Sequence, residues 1–141
     1  MTRIDPRGPR FSAAATSVLL AATLLLGDSP AGIALLAGVT ALFALGAVRG
    51  AQGTLQGMAF RRWVQPRLAP PLHLEDARPP QFAQVIGLLV TGTGLLLAAA
   101  GVTGAVLVAA AIALAAAFAN AAFGFCLGCE VYLLIRRLRP A

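Results

Sequence analysis

The chain reads as an all-α, polytopic membrane protein with four transmembrane helices arranged as two similar helical hairpins. Composition, the spacing of uncharged runs and the placement of arginines predict this. Of 141 residues, 59% are hydrophobic and 11% charged, against roughly 45–50% and 25% in soluble domains. The mean hydropathy is +0.84. Four uncharged runs approach the roughly 20 residues that a hydrocarbon core of about 30 Å requires of a helix. All eleven basic residues are arginines, and they cluster between those runs. The net charge of +6 therefore reads as membrane topology and gives no reason to expect a nucleic-acid partner. The length suits one domain, 1–141, with a first hairpin at 11–48, a connection at 49–81 and a second hairpin at 82–135. No room is left for a soluble catalytic domain, and the absence of lysine removes Schiff-base chemistry.

Met1–Arg10 is polar, and its prolines and Gly8 oppose a helix. Phe11–Gly27 is the first span. Asp28-Ser29-Pro30 is a turn in which Asp or Ser caps the next helix and Pro sits in its first turn. Ala31–Val48 is the second span, ended by Arg49. Gly50–Gln65 sets Leu55, Met58, Ala59 and Trp63 against Gln52, Gln56, Arg61 and Arg62, the pattern of an amphipathic extension lying in the interface. Leu68–Pro80, with four prolines, reads as a loop, and it carries the single histidine, His73, beside Glu75 and Asp76. Phe82–Ala100 is the third span and Gly101–Gly104 a tight turn. The fourth span begins near Ala105 and stays apolar to Glu130.

Met1–Arg10, Arg49–Pro80 and Glu130–Ala141 hold three, five and three arginines, and the connections at 28–30 and 101–104 hold none. Under the positive-inside rule both termini and the central connection face the cytoplasm. An N-terminal secretory signal is disfavoured, because Gly27-Asp28-Ser29-Pro30 is a poor cleavage site and another span follows at once. Asp5-Pro6-Arg7-Gly8-Pro9-Arg10-Phe11 and Asp76-Ala77-Arg78-Pro79-Pro80-Gln81-Phe82 share the pattern D-x-R-x-P-x-F, each before a pair of spans. The pairs also end alike, in Arg61-Arg62 with Pro66 and in Arg136-Arg137 with Pro140. That pattern predicts parallel repeats related by an axis along the membrane normal. Aligned on the paired arginines, Ala51-Gln52-Gly53-Thr54 falls opposite Cys126-Leu127-Gly128-Cys129.

Those two cysteines are the only ones in the chain. A C-x-x-C pair forms a reversible disulfide when a helix N-terminus favours the thiolate. Gly124 and Gly128 provide for a helix break, and so for a new N-terminus at Cys126. On this reading Cys126 is the nucleophile, Cys129 the resolving thiol and Glu130 a proton acceptor. Two other readings stay open: packing, since cysteine and glycine at this spacing serve close helix contacts, and a Cu(I) or Zn²⁺ site of Cys126, Cys129 and His73, or of four thiols across a homodimer. No cofactor is expected under the redox or packing readings. Charge-coupled transport is disfavoured, because no Asp, Glu, Lys, Arg or His occurs in 11–27, 31–48 or 82–129. Threonines and Asn120 stand out as polar groups at depth, and Asn120 is expected to hydrogen-bond across helices. Gly92-Thr93-Gly94 lacks a strand context and reads as a packing surface.

The lead-in Asp5–Phe11, the loop Arg67-Leu68-Ala69-Pro70-Pro71 with Glu75–Gln84, and the end Gly124-Phe125-Cys126-Leu127-Gly128-Cys129 resemble the family called domain of unknown function 4395. The resemblance covers essentially the whole chain. It implies a small, four-span protein of the bacterial inner membrane with a C-x-G-C pair, and it brings no established activity. It also implies an association with thioredoxin-like or sulfurtransferase proteins. The reading that results is a thiol–disulfide or sulfur relay, with a membrane scaffold whose cysteines only pack as the alternative, and passage of a small sulfur species as a further one.

Overall fold

In the computed structural model, which describes residues 2–140, the first helix, α1, spans Arg7–Leu26. It starts earlier than the prolines of Met1–Arg10 suggest. The first turn of a helix has no intrahelical partner for its N–H groups, so Pro9 sits there without loss. The Asp5 side chain accepts the Arg7 N–H at 3.0 Å, and the Asp5 carbonyl accepts Gly8 N–H at 3.0 Å. The same device opens helix α4 (Arg78–Ala99). There Asp76 accepts the Arg78 N–H at 3.0 Å, and Pro79 and Pro80 occupy the first turn. The last residues of the expected proline loop are thus helical, for the same reason in both halves.

Helix α2 (Pro30–Arg49) begins as predicted, with the Ser29 hydroxyl accepting Gly32 N–H at 3.2 Å and Pro30 at the first position. It stops at Gly50, whose φ of 85° is open to glycine and strained for other residues. The amphipathic extension expected over 50–65 is not one helix. A 3₁₀ turn (Ala51–Gly53), the short α3 (Leu55–Ala59), a π segment (Phe60–Val64) and a second 3₁₀ turn (Gln65–Arg67) follow one another. Thr54 restarts the chain as a helix cap, its Oγ1 accepting Gly57 N–H at 3.0 Å. Arg61, Arg62 and Trp63 are exposed, as an interfacial position requires. Helix α5 (Ala105–Phe123) ends at Gly124, with φ 68°. The apolar run then breaks, and α6 (Leu127–Leu138) starts afresh from Cys126. Helices α1, α2, α4 and α5 are long and apolar enough to cross a membrane, which marks a membrane protein.

The two halves are related by an approximate two-fold. Strands β1 (Arg3–Ile4) and β2 (Glu75–Asp76) pair antiparallel, with Ile4 opposite Glu75. The D-x-R motifs are offset by 71 residues, and Ile4 and Glu75 are offset by the same 71. The ladder therefore pairs a residue with its own counterpart, as a two-fold axis demands. Helix packing obeys the same rule, since the most extensive pairings are α1 on α5 and α2 on α4, which exchange when the halves exchange. Further, Gln81 Nε2 donates to the Ala47 carbonyl at 2.8 Å near the end of α2, and Arg10 donates to the Ala121 carbonyl at 3.3 Å near the end of α5. Arg10 and Gln81 are again 71 apart.

The buried core lies toward the 27–30 and 101–104 turns, where Leu20, Leu36, Val106, Ala109 and Ala110 interlock. Small residues allow that approach: Gly94 packs against Ala109. Thr23 and Thr91 are fully buried and return their hydroxyls to the Leu19 and Gly87 carbonyls of their own helices, at 2.9 and 2.8 Å. Asp28 reaches across this end to accept Gly104 N–H at 2.7 Å, tying the two turns together at the start of α5. Toward the arginine-bearing end the helices leave a cavity between them.

Candidate functional site: a cysteine pair on an open cavity

Gly124 ends α5 in the left-handed region, the Phe125 N–H bonds back to the Ala119 carbonyl at 3.3 Å, and Cys126, in extended backbone, becomes the cap of α6. The predicted break is there, and it puts the first cysteine at a helix start. Cys126 Sγ accepts the Cys129 N–H at 3.2 Å, where a serine or threonine oxygen would usually sit. One helical turn brings the two cysteines to a Cα separation of 5.1 Å, at disulfide-bonding distance. Both side chains are half-buried, and Glu130 in the same first turn is exposed.

Helix α6 is fastened to α4. Gly128 lies against Ala83, where a Cβ would come within 2.5 Å of the Ala83 Cβ, and Tyr132 packs against Phe82 with ring centroids 5.6 Å apart and planes tilted by 52°. Close packing in this motif is thus carried by the glycine between the cysteines. Cys126 and Cys129 also line a cavity of about 1120 Å³ bounded by α1, α2, α4, α5 and α6. Its walls are mostly apolar, with Phe43, Val90 and Ile112 from mid-helix positions. Polar residues on it include Arg10, Ser12, Thr16, Thr54, Gln56, Gln84, Asn120 and Glu130, with Arg7, His73, Glu75 and Asp76.

Ser12 is 6% exposed, and its Oγ has no hydrogen-bond partner. Thr16 accepts from Gln56 Nε2 at 3.2 Å. Among the described residues Asn120 makes no side-chain hydrogen bond to another helix, contrary to expectation; its side chain borders the cavity. The Arg10 guanidinium, bonded to the Ala121 carbonyl, lies beside Gly124, two residues before Cys126. Ser12, Gln84 and Arg10 are not predicted from sequence as site residues. Arg10 had a signal, its repeat-equivalence to Gln81, whereas Ser12 looks like any small residue in an apolar run.

His73 reaches the cavity mouth but engages Glu75, Nε2 to Oε1 at 3.4 Å, with both side chains exposed. Asp76 is held by Arg78 through a 2.6 Å bond, and that hydrogen bond lowers its pKa to about 2. Asp5 is lowered likewise by Arg7. Among the described residues no three His, Cys, Asp or Glu side chains are grouped to hold a metal ion, and the metal reading of Cys126, Cys129 and His73 gains no support from the geometry.

The fold and the site together define a polytopic helical membrane protein with a cysteine pair set at a helix break on a cavity between its helices. Residues 4–137 match the family described as domain of unknown function (DUF4395). The chain belongs to that family, which the match spans almost from end to end. No curated protein and no solved structure matches the chain.

Proposed function

We propose that this protein is a thiol–disulfide relay of the bacterial inner membrane, with both termini, the 49–81 connection and the cysteine pair on the cytoplasmic side. The observation that carries the reading is the placement of Cys126 and Cys129 at the start of α6, at disulfide-bonding separation and bordering an open cavity. The N–H groups and dipole of α6 favour a thiolate at Cys126, and a thiolate is the attacking species in exchange. In each cycle the Cys126 thiolate attacks a partner disulfide, its S–S bond breaks and one partner thiolate leaves. Cys129, its proton taken up by Glu130 or water, then attacks Cys126 Sγ, closing the internal disulfide and releasing the second partner thiol. A soluble thioredoxin-like or sulfurtransferase protein is the partner this chemistry suits.

The alternative, a scaffold whose cysteines only pack, is disfavoured by the division of labour in the motif, where Gly128 makes the tight contact with Ala83. Acid-trapped native membranes, labelled with a mass-tagged maleimide before and after a mild oxidant pulse, separate the two. Relay predicts a pair that moves between two labels and none, with Cys129→Ser accumulating a mixed disulfide. Thiols that react only after denaturation overturn it.

A further inference from the structure

A pair that only exchanges disulfides with a soluble partner moves oxidising equivalents without a source or a sink, and this chain has no third cysteine to extend a relay. The cavity shows where the other end of the reaction lies. It runs from Cys126 and Cys129 along Val39, Phe43, Val90, Ile112 and Ala116, residues from the middle of the spans. A ligand there must be apolar and dissolved in the membrane. At about 1120 Å³ the space exceeds the roughly 300–1,000 Å³ of most small-molecule sites, enough for a ring with part of a long tail.

The wall also carries hydrogen-bonding capacity that a lipid acyl chain leaves unused. The Ser12 hydroxyl is more than nine-tenths buried without a partner, and a buried polar group in that state is costly. The Asn120 and Gln84 amides border the same space, and Arg10 lies on it next to the break before Cys126. Donors on several sides of an apolar slot suit a flat ring with carbonyl oxygens at opposite edges.

We propose that the cavity binds a membrane-dissolved quinone, which exchanges two electrons with the Cys126–Cys129 pair. This inference rests on the relay reading above, with the partner exchange run in reverse. A partner thiolate attacks Cys126 Sγ and releases Cys129, the second partner thiol attacks the mixed disulfide and frees Cys126, and the quinone accepts the two electrons the pair has gained. In the oxidising direction the Cys126 thiolate adds to a ring carbon, forming a C–S bond. The Cys129 thiolate attacks Cys126 Sγ, the S–S bond forms, and the C–S bond breaks with its electron pair returning to the ring. The dithiol loses two electrons and two protons; the quinone gains both and leaves as quinol. Ser12 and Asn120 are positioning residues, donating to the carbonyl oxygens.

The test uses the full chain in vesicles of phosphatidylethanolamine and phosphatidylglycerol, reduced, freed of reductant and mixed anaerobically with decylubiquinone. Quinone loss is followed by absorbance and thiol loss by maleimide labelling. One quinone consumed per dithiol, with none consumed by Cys126→Ser or Cys129→Ser, supports the proposal. Ser12→Val raises KM roughly two- to tenfold with kcat retained, the loss of one hydrogen bond. A photoreactive azidoquinone adds a readout independent of turnover, labelling the α1 and α5 peptides that carry Ser12 and Asn120. Label confined to lipid-facing positions such as Leu25 and Leu96, or a Ser12→Val KM equal to wild type, overturns it. Thiols that exchange with oxidised glutathione yet persist in excess quinone overturn the quinone and leave the relay standing. Thiols inert to both overturn the two together.

Discussion

The two halves of this molecule begin their last helices in nearly the same way and put them to different use. After α2 the chain turns at Gly50 and restarts from Thr54, whose hydroxyl accepts the Gly57 N–H. After α5 it turns at Gly124 and restarts from Cys126, whose sulfur accepts the Cys129 N–H. Thr54 is 2% exposed, and Gly57 has no room for a side chain, because a Cβ there would run into the Ala51 carbonyl. Cys126 and Cys129 are half-buried on a cavity. Thr54 borders the same cavity, so the two restarts differ in degree of exposure, the first tightly buried and the second half-buried. A reactive pair needs room for both sulfurs at a helix N-terminus, and in the first half the second position, Gly57, has no room for a side chain.

The equivalent crossing residues differ too. Gln81 reaches the end of α2, and Arg10 reaches the end of α5. Either side chain satisfies a helix-end carbonyl, but Arg adds a fixed positive charge. Of the two crossing residues, only the one at the cysteine end is charged.

The largest effect that tests this contrast is removal of a sulfur. Cys126→Ala and Cys129→Ser are each expected to abolish internal disulfide formation, read by maleimide mass shift, while far-UV circular dichroism stays unchanged. Next comes the packing that separates the halves. Gly128→Val forces a branched side chain into Ala83 and is expected to lift α6 from α4, costing about 1–3 kcal/mol in detergent denaturation and raising the maleimide rate of both thiols. Gly57→Cys combined with Thr54→Cys, an attempt to copy the pair into the first half, is expected to lower stability and yield no quinone- or glutathione-linked cycling at the new site.

Smaller changes sharpen the electrostatic side. Arg10→Gln gives the second half the residue of the first, so the fold is kept and Cys126 alkylation by iodoacetamide at pH 7 slows roughly two- to fivefold, the scale of one partly screened charge. Gln81→Arg, the reverse change, leaves thiol reactivity as it is. The smallest effect concerns the Asp5–Arg7 and Asp76–Arg78 clasps. Both carboxylates titrate below their ordinary range in the folded chain, Asp76 at about 2. Their contribution is therefore complete above the unfolded carboxylate value of about 4 and is lost only as pH falls toward about 2. Thermal melts are expected to coincide from pH 7 to pH 5 and to drop below pH 3, with Asp76→Asn removing the acid dependence in part.

Much of this architecture is legible in the amino-acid order because membrane burial writes it in long, uncharged runs. The break at Gly124 is readable for the same reason, since glycine so near a run's end marks a change of direction. Helix starts are misjudged where prolines sit in a first turn, as at Pro9, Pro79 and Pro80, because proline opposes helix interiors and not their beginnings. The register of the repeat is misjudged as well. Aligning Arg61-Arg62 with Arg136-Arg137 sets Thr54 against Cys129, whereas the caps set Thr54 against Cys126. Ten residues separate Cys126 from Arg136, and seven separate Thr54 from Arg61, so α6 has about one extra turn. The cavity itself is illegible from sequence, because an alternation of Ala, Leu and Ser does not say which face of a helix meets a partner and which meets a void.

The short ladder between β1 and β2 also bears on how the chain is made. Ile4 leaves the ribosome 71 residues ahead of its partner Glu75. Helix α1 waits still longer for α5, its most extensive contact. During synthesis the first pair of helices therefore enters the bilayer with its main faces met only by lipid, and closure comes late and all at once. Truncation after α2 is expected to leave an inserted but protease-sensitive hairpin, held by the membrane and not yet by its own other half.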